Sequence, residues 1–146
     1  MNNNLKDLKE SSAVQNHINI LQNIIARMAS NSANSKTWAI TIISAIIVLL
    51  IDKNKIYMID ITYIPLAMFF FLDCFYLGLE KYFRDEYKNF IDKLKTSSFD
   101  FDDIYNIKGP GLCDKICYTL KGMWSCSTTP FYAIFAILIF IILKIS

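Results

Sequence analysis

Three apolar runs, at 38–51, 56–79 and 130–143, stand out from an otherwise mixed chain of 146 residues. The first, WAITIISAIIVLLI, would rise about 21 Å as a helix, less than the roughly 30 Å of a bilayer's hydrocarbon core. Its helix is therefore predicted to begin earlier, through ASNSANSK at 29–36, and a continuous helix would span 12–51. The second run is long enough at about 36 Å and contains Asp60, Pro65 and Asp73. Between the two, DKNK at 52–55 reads as a tight turn, so they form a helical hairpin. The third run opens with Thr128-Thr129-Pro130, where a threonine N-cap and a proline at the first helical position fit a helix start. Extension back to Trp124, an interfacial residue type, brings it close to spanning length. A partly embedded third helix is the alternative.

Along the first helix, apolar or small residues recur at Val14, Ile18, Leu21, Ile25, Met28, Ser32, Ser35, Ala39, Ile42, Ile46 and Leu49. The alternating steps of four and three make a coiled-coil seam, and Ser32, Ser35 and Ala39 would let a neighbouring helix approach closely. Two partners fit it: a second copy, giving a parallel homo-oligomer, or the chain's own charged rod at 80–95. A more polar stripe, Thr37, Thr41 and Ser44, shares another face of this helix. Such hydroxyls either line a narrow pore or bond back to their own helix carbonyls.

Composition supports a membrane setting. Hydrophobic residues make up 54% and charged ones 19%, with 11 Phe and 8 Tyr. A small soluble domain exposes too much of its surface to hide that content. The start, MNNNLKDLKESS, lacks an apolar core, so the first run is expected to act as an uncleaved signal-anchor rather than follow a cleavable leader. The net charge of +2 points to no nucleic-acid partner, but its distribution is informative. Lys6, Lys9, Arg27 and Lys36 precede the hairpin, and Lys81, Arg84, Lys88, Lys93, Lys95, Lys108, Lys115 and Lys121 follow it. Only Lys53, Lys55 and Lys144 remain. The positive-inside rule then places the N-terminus and the 80–129 segment in the cytoplasm and the C-terminus outside. The expected architecture is an all-α membrane protein. It comprises a cytoplasmic amphipathic helix (1–37), a two-span hairpin (38–79), a cytoplasmic helical and loop segment (80–123) and a third transmembrane helix (124–146).

With the turn centred between the first two runs, equal rise along both helices sets Lys36 opposite Asp73. An unpaired charge in lipid is costly, so intramembrane carboxylates find a partner or a wet path. A Lys36–Asp73 pair pinning the hairpin, the same groups lining a vestibule, and a merely hydrated Asp73 near the headgroups all fit. Asp60 reads as interfacial. Beyond Leu79 the second helix is expected to continue as a rod. Phe83, Tyr87, Phe90 and Leu94 lie on one side, and Glu80–Arg84 and Asp92–Lys95 can pair along it.

Cys74 reads as ordinary packing. Cys113, Cys117 and Cys126 lie in the expected cytoplasmic segment, where thiols stay reduced, and a zinc site built on them would want a fourth ligand from elsewhere. SSFDFDDIYNIKGPG, at 97–111, reads as a loop without calcium-loop spacing. LCDKICYTLKGMW carries Leu112, Ile116, Leu120 and Met123 on one face, as an interfacial helix or one folded onto the rod. The lone His17 is expected to be solvated. With no phosphate loop, metal-ligand set or nucleophile–base arrangement, the expectation is that the protein is not an enzyme and has no cofactor.

The amphipathic segment INILQNIIARMASNSANSKTW, the tight hairpin and the rod LEKYFRDEYKNF, over about residues 14–95, resemble the SLATT-like group. These are small bacterial membrane proteins found with nucleotide second-messenger defence systems. The resemblance implies an oligomeric inner-membrane effector that permeabilises the membrane when a partner, a nucleotide second messenger or a soluble sensor, reports infection. The third run and the Cys-containing segment depart from that two-span pattern. A membrane-anchored scaffold recruiting a soluble partner is the competing expectation.

Overall fold

The computed structural model describes residues 11–96, 98 and 101–145, which form helices joined by turns and short connectors. The polar stretch 1–10, with Lys6 and Lys9, and Asp100 of the acidic loop lie outside the described residues.

Helix α1, Ser12–Asp52, is 41 residues long, about 60 Å, with no glycine or proline to interrupt it. Ser11, in extended backbone, caps it by accepting from the Val14 N–H at 3.4 Å. At the other end the Lys53 N–H returns to the Leu49 carbonyl, and Asn54 turns the chain with φ of 53°, a left-handed conformation that asparagine tolerates.

The return arm differs from the uninterrupted helix expected from residue 56. Ile56–Thr62 is a 3₁₀ helix, and the α-helix α2 begins only at Tyr63, running to Thr96. Pro65 explains the switch. It offers no N–H to the Ile61 carbonyl and its ring crowds that oxygen, so α-helical bonding cannot run through from upstream, whereas the first turn of α2 accepts proline. Beyond the apolar part α2 continues as the charged rod, with Arg84 Nε 2.7 Å from Glu80 and Lys95 Nζ 3.2 Å from Asp92.

The acidic segment is not wholly a loop. It contains a short helix, α3 (Phe101–Tyr105), whose Ile104 is buried against Val14 and Phe90 and helps to close the rod end. Helix α4, Leu112–Met123, folds back along α2. The approach is so close that a Cβ at Gly78 would lie 2.7 Å from the Tyr118 backbone, and one at Gly122 would lie 2.5 Å from the Cys74 carbonyl. Glycine is required at both places.

Helix α5 spans Thr128–Ile145 and does not reach back to Trp124, which instead ends α4 with its ring 88% exposed. Pro130 is the third helical residue rather than the first, and the Thr129 hydroxyl donates to the Met123 carbonyl at the end of α4. α5 runs antiparallel to α2: Tyr132 donates its hydroxyl to the Phe69 carbonyl (3.1 Å) and Tyr63 donates to that of Ala136 (3.2 Å). Its C-terminal end therefore lies beside the turn between α1 and the 3₁₀ helix. Ala39, Ile43, Ile59, Leu66, Tyr132 and Ile139 form the shared core of this bundle.

Among the described residues three helices are long and apolar enough to cross a membrane, and much of their apolar surface faces outward: Val48, Ile64, Phe71 and Ile134 are all more than half exposed. Outward apolar surface of that extent is what a lipid solvent demands. The fold is all-α, and it is that of a membrane protein.

Candidate functional site: a buried ion pair on the hairpin seam

The seam on α1 decides what α2 presents to it. Leu21, Ser32, Ser35, Ala39 and Ile43 are buried, and Ile18, Ile25 and Met28 are partly so. The buried line slips from the expected Ile42 to Ile43 as a helix of 3.6 residues per turn drifts away from a 3.5-residue repeat. α2 is the main partner of this face. The chain's own rod and hairpin, one of the two partners open to the sequence, thus occupy it.

Small residues at the middle of the seam leave room for Asp73, whose side chain is fully buried. Lys36 Nζ lies 2.6 Å from Oδ2, while the Ser32 hydroxyl donates to Oδ1 at 2.5 Å. The ammonium stands off the hydrogen-bonding direction of Oδ2, so that oxygen is neutralised by charge without a well-aligned hydrogen bond. Lys36 also reaches the Ser32 oxygen at 3.4 Å. Ser35 donates back to the Asn31 carbonyl of its own helix. Lys36 keeps 18% of its side chain exposed, so the pair has one open edge. Breaking such a pair by removing one member is costly, because the other charge stays buried.

Two further polar features gather at this level. Cys74 is fully buried beside Asp73, with its carbonyl against Gly122 of α4. Thr128, at the start of α5, is fully buried, and its hydroxyl has no hydrogen-bond partner among the described residues. The antiparallel register that sets Tyr132 beside Phe69 brings Thr128 to the level of Asp73 and Cys74.

The remaining residues singled out from the sequence lie elsewhere. Thr37, Thr41 and Ser44 are exposed on the opposite side of α1, where Thr37 donates to the Ala33 carbonyl and Thr41 to that of Thr37. These two hydroxyls are satisfied within the helix. Asp60 is exposed. Cys113, Cys117 and Cys126 are exposed, and among the described residues no three His, Cys, Asp or Glu side chains gather as a metal site would need.

His17 is the residue the sequence misplaced. It is buried at 6% exposure rather than solvated, its ring 4.2 Å from that of Phe90, with Nδ1–H donating to the Ile104 carbonyl at 2.7 Å. It joins α1, α2 and α3 at the rod end. The signal lay in spacing: His17 stands three residues after Val14 and four before Leu21, inside the seam. Tyr118 ties α4 to the rod by donating to Asp85 Oδ2 at 2.9 Å. That bond, then burial, pushes its phenol up to about 12.

Compared with protein-family models, with curated proteins and with solved structures, the chain finds no match.

Proposed function

We propose that the protein is an oligomeric inner-membrane effector that forms or gates a pore, with its N-terminus and the rod in the cytoplasm. One observation carries the reading. On the side of α1 opposite the seam, Ser30, Ala33, Thr37, Thr41 and Ser44 form a stripe of small and hydroxyl-bearing residues that no other part of the chain covers among the described residues. It runs from the rod into the apolar stretch. In a membrane, small residues are where helices meet, and a hydroxyl row is what a water path would be lined with. The seam is occupied within the subunit, so α1 helices of neighbouring copies meet through this stripe instead. The Lys36–Asp73 pair then acts inside each subunit, holding the two arms of the hairpin in register. The distribution of cations and the resemblance of residues 14–95 to SLATT-like effectors support the same orientation and role.

The second reading is a membrane-anchored adaptor. It draws on a groove of about 520 Å³ between α1 and α2 on the rod, bordered by Ile25, Ala29, Arg84, Tyr87 and Lys88, into which a soluble partner or a nucleotide second messenger would fit.

Release of dye and ions from liposomes holding the purified protein, with and without cyclic nucleotides, tests the two. A pore gives release that Asp73→Leu and Thr41→Ala/Ser44→Ala alter. An intact barrier under every condition, from a protein verified as folded and inserted, overturns the pore reading and leaves the adaptor.

A further inference from the structure

Helix α4 buries one side and leaves the other bare. Tyr118 and Gly122 face α2, whereas Leu112, Ile116, Leu120 and Met123 are 79%, 62%, 55% and 37% exposed. Such a face is costly in water. It is also continuous with the outward apolar surface of α2, because Phe71, itself 64% exposed, and Phe75 border the same groove as Ile116, Leu120 and Met123. That groove holds about 240 Å³, and Lys115 is its one charged border residue. Lys115 makes no ion pair among the described residues.

The alignment of the two helices gives the groove a direction. Gly122 meets Cys74 and Gly78 meets Tyr118, so α4 is antiparallel to α2. Met123 lies toward the apolar bundle, and Lys115 lies about two turns toward the rod. Only residues 124–127 separate α4 from α5, so α4 lies at the membrane surface once α5 is embedded. An apolar trough opening at its polar end on an unpaired ammonium matches the polarity of a phospholipid, chain inward and phosphate outward.

We propose that the α2–α4 groove binds a membrane phospholipid, one acyl chain lying along Phe71, Phe75, Leu120 and Met123 and the phosphate held by Lys115. An anionic headgroup is favoured, since Lys115 meets it unopposed.

The test uses the full chain with Trp38→Phe and Trp124→Phe, so that a tryptophan at Leu120→Trp reports alone. The protein is reconstituted in phosphatidylcholine vesicles carrying acyl-brominated phosphatidylglycerol or acyl-brominated phosphatidylcholine. Bromine quenches the tryptophan on contact. The expected result is quenching by both lipids with a roughly fivefold preference for phosphatidylglycerol. Lys115→Gln removes the preference and leaves the quenching. Ile116→Trp, at the same groove, provides a second reporter if Leu120→Trp folds poorly. Absence of quenching at both positions, as a second copy seated on this face would give, overturns the proposal. So does a preference that survives Lys115→Gln.

Discussion

The two sides of α1 carry similar residues and do different things with them. Ser32 and Ser35 on the seam are buried, and Ser32 turns its hydroxyl to Asp73 across the hairpin. Thr37 and Thr41, on the far side, are exposed and return their hydroxyls to their own helix. Ser35, though buried on the seam, also donates to its own helix, so the faces differ in burial and in the one bond that Ser32 makes across the hairpin. The seam is closed within the subunit; the opposite stripe is open.

The sharpest way to break that contrast is to empty the seam of its carboxylate. Asp73→Leu leaves Lys36 buried without a counter-charge and should destabilise the protein by about 3–5 kcal/mol. Adding Lys36→Met should recover most of the loss, as denaturation in detergent would read. Equal losses in the single and double variants would mean that the pair contributes nothing as a pair. Crowding the α4 contact comes next: Gly122→Ala drives a Cβ into the Cys74 carbonyl and should cost about 1–3 kcal/mol. Gly109→Ala, with open space around it, should be neutral in the same assay. Ser32→Ala removes one donor to Asp73 and should cost about 1–2 kcal/mol. Thr41→Ala on the open stripe should change the stability of the isolated subunit by less than about 0.5 kcal/mol. A loss at Thr41 equal to that at Ser32 would erase the distinction between the faces.

The smallest effect lies at the rod. Tyr118 ordinarily titrates near 10 and is held up to about 12 by its bond to Asp85 and by burial. Its folded value exceeds its unfolded one, so its contribution to stability is complete below about pH 10 and is lost as pH rises through about 12. Tyr118→Phe should therefore lower a stability–pH curve slightly throughout its part below about pH 10 and flatten its alkaline limb, the two proteins converging above about pH 12.

Much of this was legible from residue spacing. The length of α1, the hairpin turn, and the Lys36–Asp73 juxtaposition all follow from a constant rise per residue, which two packed helices share. What spacing could not give was a partner's identity. Val14 to Ala39 fit a second copy as well as the chain's own rod, because a seam pattern describes one surface only. His17 looked solvated for the same reason: its shelter comes from Phe90 and from Ile104, far away along the chain. Trp124 looked like an extension of α5, yet α4 ends there, and the Thr129–Met123 bond shapes the connection instead. Gly78 and Gly122 gave no sign of their contact, since a close approach of two helices needs only the absence of a side chain.

Disulfide cross-linking between copies tests the central contrast most directly. In a chain whose exposed Cys113, Cys117 and Cys126 are replaced by serine, Thr37→Cys and Ser35→Cys are compared under mild oxidation in vesicles. The account predicts that Thr37→Cys links neighbouring subunits and Ser35→Cys does not. Linking through Ser35→Cys, with Thr37→Cys inert, would contradict it and return the seam to the oligomer.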